Sequence, residues 1–432
     1  MATATVPAPA AAPAGAPSPS QKGQQAAVAR PFRVGVQEVD DTPYDNSLTA
    51  TTSTIDFPTY ELPSTGFVNS LWVWVVNVVS GNTSTTVNFA NEGPWTAIDT
   101  IQFLDTNNQP IVGPFSGWNL YLINKYGGYL FNDDPMQSPM FVTFTGASGT
   151  YTASWGYPIT TATSGTSNPL GAAPAVGNAG SFQWILRIPL ELCPRDALGS
   201  LPNKSASTPF KVKTRLAAAA TPYSTANNGT NSYRLRIIPE SYWQPADVDA
   251  QGNPLQPNPP AVDTTQYWQL SDYTGNAGQY NQQLTSSTGF PLRNLLFYLM
   301  DSNNSRFQGE ADWPDPVTLQ IEANIRLLRN KVIWRQDIAQ NFEYAAAIAA
   351  AAATVGTPEA PNAINAGVFV LGFNRDFGPI PGWETRRGYL PTTDGMRLQF
   401  RGTIGGSGLH TLFVLTNYVA PGAGATLASI TA

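Results

Sequence analysis

The chain has 432 residues, and at roughly 150 residues per domain this length suggests two or three domains. Only 12% of the residues are charged, against about 25% in a typical soluble domain, while aromatic residues reach 11% and Gly and Pro number 37 each. This composition excludes a coiled coil or a protein of long helices. The net charge of −6 offers no basic footprint for nucleic acid, so we expect no direct nucleic-acid binding.

The single Cys and the single His limit the chemistry. Cys193 cannot form an internal disulfide, and with His410 it cannot complete a zinc site or a redox centre without ligands from another chain. We therefore expect no metal and no cofactor. The longest apolar runs, 71–76 and 345–353, are shorter than the ~18 residues that span a bilayer. The N-terminus lacks the charged and apolar regions of a secretory signal.

Residues 1–30 alternate Ala, Pro, Gly and Ser. This composition has too little bulky apolar surface to offset the entropy lost on ordering, so we predict a flexible or polyproline-like arm. Two interpretations remain for it: a disordered tail without a task, and an arm that orders only against a neighbouring molecule.

The first half of the chain has a pattern of strands and turns. The run FVNSLWVWVVNVV at 67–79 is too apolar for a half-exposed strand and predicts a sandwich interior. In FSGWNLYLINKY at 115–126, Trp118, Leu122 and Tyr126 recur at helical spacing before a Gly-Gly stop, which predicts a short helix. The other predicted strands here are 54–62, 85–89, 100–105, 110–112, 141–145, 151–155, 182–188, 210–216 and 232–239.

A Pro-rich stretch at 246–264 predicts the main domain boundary. Beyond it we predict one helix, from near Ile333 through the alanine run that ends at Gly356. The predicted strands of this half are 266–270, 295–300, 318–327, 368–373, 396–403 and 409–418. The predicted organisation is an arm at 1–30, a first domain at 31–245, a linker at 246–264 and a second domain at 265–432.

The two halves share a layout. In the first, the strand pair TIQFLDTNNQPIVG leads into the helix GWNLYLINKYGG; in the second, TLQIEANIRLLRNKV leads into IWRQDIAQNFEYAA. About eight antiparallel strands per half, with long Gly- and Pro-rich connections, predict an all-β fold. We predict two tandem eight-stranded jelly rolls, a double jelly roll, each with a short helix in one inter-strand connection.

Paired acids could serve as the catalytic residues of a glycosidase. The pairs are Asp40 with Asp41, Asp133 with Asp134, and Asp312 with Asp315. All lie in loop sequence where acids commonly cap turns, so structural or solvated roles are favoured. None of these loops has the alternating acids of a calcium loop, although calcium binding in one of them stays open. Nucleophile elbows and phosphate-binding loops are absent from the sequence, and we expect a protein that is not an enzyme.

The chain has 11 Trp residues, which could form the sugar-stacking platforms of a lectin. Most lie in or beside apolar strands, which favours core packing or subunit burial. Examples are Trp72, Trp74, Trp184 and Trp334. Trp383 differs because it lies in the loop GPIPGWETRRGY beside Arg386 and Arg387. These three residues are the candidate exposed contact site, with ordinary loop packing as the alternative.

Three segments together resemble a known family. They are GPWTAIDTIQFLDTNNQPIVGPFSGWNLYLINKYGG at 93–128, FQWILRIPLELCPRDALGSLPNKSASTPFKVKTRL at 182–216 and YRLRIIPESYWQP at 233–245. The chain resembles the double jelly-roll major capsid proteins of tailless bacteriophages with an internal membrane, the tectivirus-like group. The likeness of layout covers nearly all of the chain after residue 30, and the recognisable motifs are confined to these segments.

The resemblance implies a structural protein of the virion. Three copies would form a pseudo-hexagonal capsomer, and capsomers would tile an icosahedral shell over an internal membrane after synthesis in the host cytoplasm. Expected partners are the chain itself as a homotrimer, neighbouring capsomers, penton and minor capsid proteins, and the membrane through residues 1–30. Loops 160–180 and 245–260 are expected to form exposed towers or inter-subunit clasps. Independently, low charge with many aromatics is typical of surfaces that become interfaces.

A carbohydrate-binding spike or lectin-like β-sandwich is the alternative function, because it would share the β-rich fold. A glycosidase is the third class considered, and no sequence feature recommends it.

Overall fold

The computed structural model describes residues 31–40, 44–84, 87–129, 134–138, 140–145, 150–153, 179–193, 197–259, 264–284, 290–302, 306, 312–321, 324–342, 363–374, 389–392 and 397–420. In these residues the α-helices are α1 (Phe32–Gly35), α2 (Gly117–Tyr126) and α3 (Lys331–Phe342), with 3-10 turns at Trp95–Ala97 and Pro135–Gln137. The strands are β1 (Glu38–Asp40), β2 (Tyr44–Thr49), β3 (Ile55–Asp56), β4 (Tyr60–Glu61), β5 (Gly66–Ser80), β6 (Asn88–Phe89), β7 (Ile98–Leu104), β8 (Pro110–Phe115), β9 (Val142–Thr145), β10 (Thr150–Ala153), β11 (Phe182–Pro189), β12 (Leu201–Asn203), β13 (Lys211–Leu216), β14 (Tyr223–Thr225), β15 (Thr230–Trp243), β16 (Thr265–Leu284), β17 (Leu292–Asp301), β18 (Val317–Ile321), β19 (Asn324–Arg329), β20 (Val368–Gly372) and β21 (Leu398–Ala420).

The first roll is a sandwich of two sheets. One sheet has the order β2–β15–β5–β11, and β9 and β10 continue it beyond β11. The other has the order β3–β13–β7–β8, with β4 also paired to β13. The chain crosses repeatedly between the two sheets instead of completing one sheet before it starts the other. This order of antiparallel strands is that of a jelly roll.

The second roll repeats this order with fewer, longer strands. Residues 265–276 of β16 pair with 409–420 of β21 in one sheet, and residues 278–284 pair with 398–404 in the other. The register shifts between Asn276 and Gly278, where φ of Gly278 is 116°, a conformation that glycine adopts without strain. β17 and β20 complete the first sheet, while β18 and β19 complete the second. The predicted double jelly roll is confirmed.

Each roll carries its helix at the same place. α2 lies between β8 and β9, and α3 lies between β19 and β20, so each helix follows the outermost strand of one sheet and leads into the other sheet. The side chain of Ser116 caps α2 by accepting a hydrogen bond from the backbone N of Asn119. Both predicted helices are confirmed as far as Phe342; the alanine run after it lies outside the described residues.

The apolar run of β5 was predicted to lie in the sandwich interior, and this is only half right. Leu71, Val73 and Val75 are buried in the core, but Trp72 and Trp74 point to the outer face and are half-buried. The guanidinium of Arg187 lies 5.1 Å from the ring centroid of Trp72, and that of Arg236 lies 4.4 Å from Trp74. These cations partly cover the rings, so the strand tolerates apolar residues on both faces. Trp184 and Trp334 are buried as predicted.

Three other strand predictions differ from the structure. The predicted strand 318–327 is the hairpin of β18 and β19, which turns without a Gly or Pro. The described residues 87–89 of the predicted return strand 85–89 contain β6, which pairs with β14 rather than with β5. The predicted strand 54–62 is divided into β3 and β4 around Pro58, whose ring removes a ladder donor.

The two rolls share a sheet. β8 of the first roll pairs in parallel with β16 of the second, with Val112 opposite Trp268, and the result is an 11-stranded sheet. The described part of the Pro-rich segment lies against the first roll. Gln244 Nε2 donates to the carbonyl of Pro257 at 2.6 Å, and Phe32 N donates to Gln256 Oε1 at 3.3 Å.

Candidate functional site

The candidate contact residues Trp383, Arg386 and Arg387 lie outside the described residues, so their role stays a prediction. Trp243 is a described tryptophan that the sequence analysis did not single out, and 52% of it is exposed at the end of β15. The structure therefore places an exposed aromatic side chain at the last residue of a strand.

In the predicted acid pairs, the side chains of Asp315 and Asp134 have structural roles. Asp315 Oδ1 accepts from the backbone N of Lys331 at 3.2 Å, at the start of α3. The backbone O of Asp312 accepts from Gly405 N at 2.9 Å. Asp134 forms a buried ion pair, described below, and Asp40 ends the short strand β1. Asp41 and Asp133 lie outside the described residues.

A further acidic loop lies in the Pro-rich segment, where Asp247 and Asp249 alternate with other residues. Asp249 Oδ1 accepts from the backbone N of Gln251 at 2.9 Å and of Asn253 at 2.8 Å. This carboxylate therefore closes a turn. Among the described residues, no three His, Cys, Asp or Glu side chains come together as a metal site requires.

Cys193 and His410 serve packing in different places. Cys193 is buried in a cluster with Leu192, Tyr389 and Val419. His410 is 2% exposed in β21, and its Nε2 lies 3.1 Å from the carbonyl of Gly405. His410 is therefore a packed strand residue.

A polar groove of about 390 Å³ opens on the outer face of β13 and β7. Its lining includes Lys213, Gln102 and the ion pair between Arg215 Nε and Asp56 Oδ1 at 2.9 Å. The one aromatic residue among its lining, Phe57, is 5% exposed. A sugar-stacking site needs an accessible ring face, and this groove does not offer one.

A fully buried polar cluster lies where α2 meets the second roll. Lys125 Nζ is 2.8 Å from Asp134 Oδ2, and both side chains are 0% exposed. The same ammonium donates to Tyr121 Oη at 3.1 Å and, across the junction, to the carbonyl of Ala363 at 2.6 Å. Two charges removed from water are tolerated when each is paired and hydrogen-bonded, as here.

A chain of hydrogen bonds continues this junction beside α2. Trp268 Nε1 donates to Tyr129 Oη at 2.6 Å, and Tyr129 Oη donates to Gln266 Oε1 at 2.6 Å. The buried Arg293 of β17 donates through Nη1 to the carbonyl of Gly127 at 2.7 Å and to Asn417 Oδ1 at 3.1 Å. The C-terminal end of α2 is thus satisfied by side chains of the second roll.

Arg306 closes the other side of the junction. Its Nε donates to Glu92 Oε1 at 3.1 Å, and its Nη1 donates to the carbonyl of Ala366. The guanidinium also lies 4.9 Å from the ring centroid of Trp118 in α2. These partners come from both rolls, so the junction is a packed interface that the chain forms with itself.

A titratable cluster lies where residues 1–30 lead into the first roll. Phe32 of α1 is buried against Phe67 and Tyr242. Tyr242 Oη donates to the carboxylate of Glu191 at 3.0 Å, and Arg33 donates to Tyr242 Oη while lying 3.7 Å from Glu191 Oε1. Burial raises the pKa of Glu191 to about 7, although Tyr242 and Arg33 act in the opposite direction.

Comparison of the sequence with known protein families and with curated proteins gives no match. No helix in the described part of the chain is long and apolar enough to cross a bilayer.

Solved structures do match. The STIV MCP superposes with a TM-score of 0.56 at 10% identity, over 89% of this chain and 97% of that one. A chain from the atomic structure of Sulfolobus Turreted Icosahedral Virus gives 0.52 at 11% identity, over 89% and 91%. The major capsid protein P2 from Bacteriophage PM2 gives 0.43 at 9% identity, over 87% and 98%. At such identities the first two matches show a shared fold, and together with the strand order they establish that this chain has the double jelly-roll fold.

Proposed function

We propose that this chain is a major capsid protein. The observation that supports this most is the double jelly-roll fold shared with the STIV MCP over 89% of the chain. Three copies associate into a pseudo-hexagonal capsomer, and capsomers tile an icosahedral shell over an internal membrane. Its function is to assemble with other copies through surfaces that pack against one another.

The surfaces of the described residues agree with such a role. The junction between the rolls is closed by buried ion pairs and hydrogen bonds, so one chain offers two rigidly joined jelly rolls. The outer face of β5 presents half-buried tryptophans, and the surface near α3 exposes apolar side chains. Exposed apolar groups of this kind favour burial against a partner.

The remaining parts of the proposal concern segments around the rolls. Residues 246–264 link the first domain (31–245) to the second (265–432), and residues 1–30 order against neighbours or the internal membrane. Loops 160–180 and 245–260 form towers or clasps, and Trp383 with Arg386 and Arg387 makes an exposed contact. Penton and minor capsid proteins are the further partners. The protein acts in the virion shell after synthesis in the host cytoplasm, and it is not an enzyme.

Two measurements test this function. Size-exclusion chromatography with light scattering on the purified chain is expected to give a trimer, and electron micrographs of the native source are expected to show the chain as the most abundant protein of an icosahedral particle. A chain that stays monomeric at high concentration in every condition contradicts the proposal. Glycan-array binding by that monomer would favour the lectin-like alternative.

A further inference from the structure

The polar groove on the outer face of β13 and β7 results from an interruption of the edge strand. β3 pairs with β13 as far as Asp56, opposite Arg215, and β4 resumes the pairing at Tyr60, opposite Val212. Three residues of the edge therefore face two residues of β13, and one extra residue of this kind bends a strand away from its partner. Lys213 is one of those two residues, and the groove of about 390 Å³ opens beside it.

Four side chains of the groove occupy neighbouring positions of the sheet. Lys213 lies opposite Gln102 of β7, and Arg215 lies opposite Thr100. All four residues line the groove. Residues two apart on a strand are separated by roughly 7 Å, and the Cβ atoms of opposite residues by about 5 Å. Two cations, an amide and a hydroxyl therefore surround one small area of the outer face.

Several hydrogen-bond donors of this groove are free to bind a ligand. Arg215 donates through Nε to Asp56 Oδ1 at 2.9 Å, and within the described part of the chain both terminal nitrogens of its guanidinium are left over. Lys213 is exposed. Among the described residues, neither its ammonium nor the side-chain amide of Gln102 has an ion-pair or hydrogen-bond partner. The groove thus offers unused donors on two cations, which favours a ligand with an anionic oxygen group.

Acceptors in the same groove restrict the ligand further. Asp56 adds a carboxylate to the lining, and Asp99, next to Thr100 in the chain, accepts from Thr100 Oγ1 at 3.1 Å. Carboxylates repel a bare inorganic anion but accept hydrogen bonds from hydroxyl groups. The ligand that fits therefore carries one anionic group and several hydroxyls. The volume of about 390 Å³ lies in the range of roughly 300–1,000 Å³ that is typical of small-ligand sites.

We propose that this groove binds an acidic sugar residue of a glycan. Lys213 and Arg215 hold the carboxylate of the sugar, and Asp56 accepts from its hydroxyls. The ring of Phe57 in the lining is only 5% exposed, so recognition depends on charge and hydrogen bonds and not on ring stacking. The inference goes beyond the proposed capsid function and does not depend on it, because the groove lies within a single chain.

Saturation-transfer NMR on the full-length chain tests the site with two acidic sugars, glucuronate and N-acetylneuraminate. At least one is expected to bind, and its affinity should fall as salt is added because the charges are then screened. Glucose has the ring without the carboxylate, and acetate has the carboxylate without the ring. Each should bind at least about tenfold more weakly than the acidic sugar, since each loses one set of hydrogen bonds.

A pair of lysine variants locates the binding. Lys213→Ala should weaken the acidic sugar at least about tenfold, because it removes a charged hydrogen-bond donor. Lys211→Ala is the matched control: Lys211 lies two positions away on the same face of β13, but its Nζ is 3.5 Å from Glu61 Oε1. This variant should change the affinity by less than about twofold. The urea unfolding midpoints of both variants should equal that of the unaltered chain.

The outcomes are separate from those that test the capsid function. Binding that is lost in Lys213→Ala and kept in Lys211→Ala supports the inference. Failure of both acidic sugars to bind, equal binding of acetate, or unchanged binding in Lys213→Ala overturns it. A chain that forms trimers without binding either sugar leaves the capsid role standing. A chain that binds the sugar but stays monomeric in every condition keeps the site and contradicts the capsid role.

Discussion

The helices α2 and α3 occupy the same place in two jelly rolls, yet the burial of several of their side chains is the opposite of what the polarity of those side chains predicts. In α2, the polar residues Asn119, Asn124 and Lys125 are at most 3% exposed. In α3, Val332 and Ile333 are more than half exposed. The difference lies in the neighbour of each helix: α2 faces the second roll of the same chain, whereas the outward side of α3 is exposed in the described part of the chain. Burial here depends on the partner more than on the polarity of the side chain.

The largest expected effect comes from breaking the fully buried charge pair of α2. Lys125→Ala leaves the carboxylate of Asp134 buried without its cation, and we expect a loss of about 3–5 kcal/mol in the free energy of unfolding. Urea unfolding followed by tryptophan fluorescence measures it. Lys331→Ala, at the start of α3, is the matched control and should change stability by less than about 0.5 kcal/mol. A loss below about 1 kcal/mol for Lys125→Ala would show that water reaches the junction.

Apolar truncation compares the two helices directly. Leu122→Ala in α2 removes a side chain that is 0% exposed, and we expect it to cost about 2–5 kcal/mol. Ile333→Ala in α3 should cost less than about 0.5 kcal/mol when the chain is dilute and dissociated, because that side chain is 55% exposed. Similar losses for the two variants in urea unfolding would contradict the difference between the helices.

The cluster at Glu191 adds a buried charge that depends on pH, in contrast to the ion pair of Lys125. The folded-state pKa is about 7 against an ordinary value of 4.5, so the fold gains stability from this group below about pH 4.5 and loses it as the pH rises through 7. The expected difference is about 3 kcal/mol. Glu191→Gln should flatten this part of the pH profile of urea unfolding. Glu61→Gln, whose side chain is 61% exposed and lies outside this cluster, should leave the slope unchanged.

The smallest expected effect tests one hydrogen bond of the junction. Tyr129→Phe removes the acceptor of the buried Trp268 Nε1, and we expect a loss of about 1–3 kcal/mol. A double-mutant cycle with Trp268→Phe isolates the coupling between the two side chains. Strictly additive losses in the cycle would mean that this contact does not contribute to the junction.

The sequence was sufficient for most of the strands, the two helices and their common position. These features depend on local patterns: Trp118, Leu122 and Tyr126 at helical spacing, and apolar runs between turn residues. The sequence-based prediction was wrong where a residue distant in the chain changed the environment of the side chains in a local pattern. The apolar run with Trp72 and Trp74 was predicted to lie in the sandwich interior. The local sequence does not show that Arg187 and Arg236, which are distant in the chain, lie over these rings.

The junction was not predictable for the same reason. Lys125 and Ala363 are 238 positions apart, and Tyr129 and Trp268 are 139 apart. A lysine in an amphipathic helix is usually a solvated residue, and only the second roll makes Lys125 a buried one. The candidate contact at Trp383, Arg386 and Arg387 was chosen from exposed loop chemistry, and it lies outside the described residues.

The parallel pairing of β8 with β16 has a mechanical consequence. The pairing joins the rolls at one residue pair, Val112 with Trp268, so twisting one roll against the other would strain this pair and the buried hydrogen bonds of the junction. The rolls therefore resist rotation against each other more than two domains on a bare linker would. If such chains tile a closed shell, the bending that gives the shell its curvature has to come from the seams between molecules.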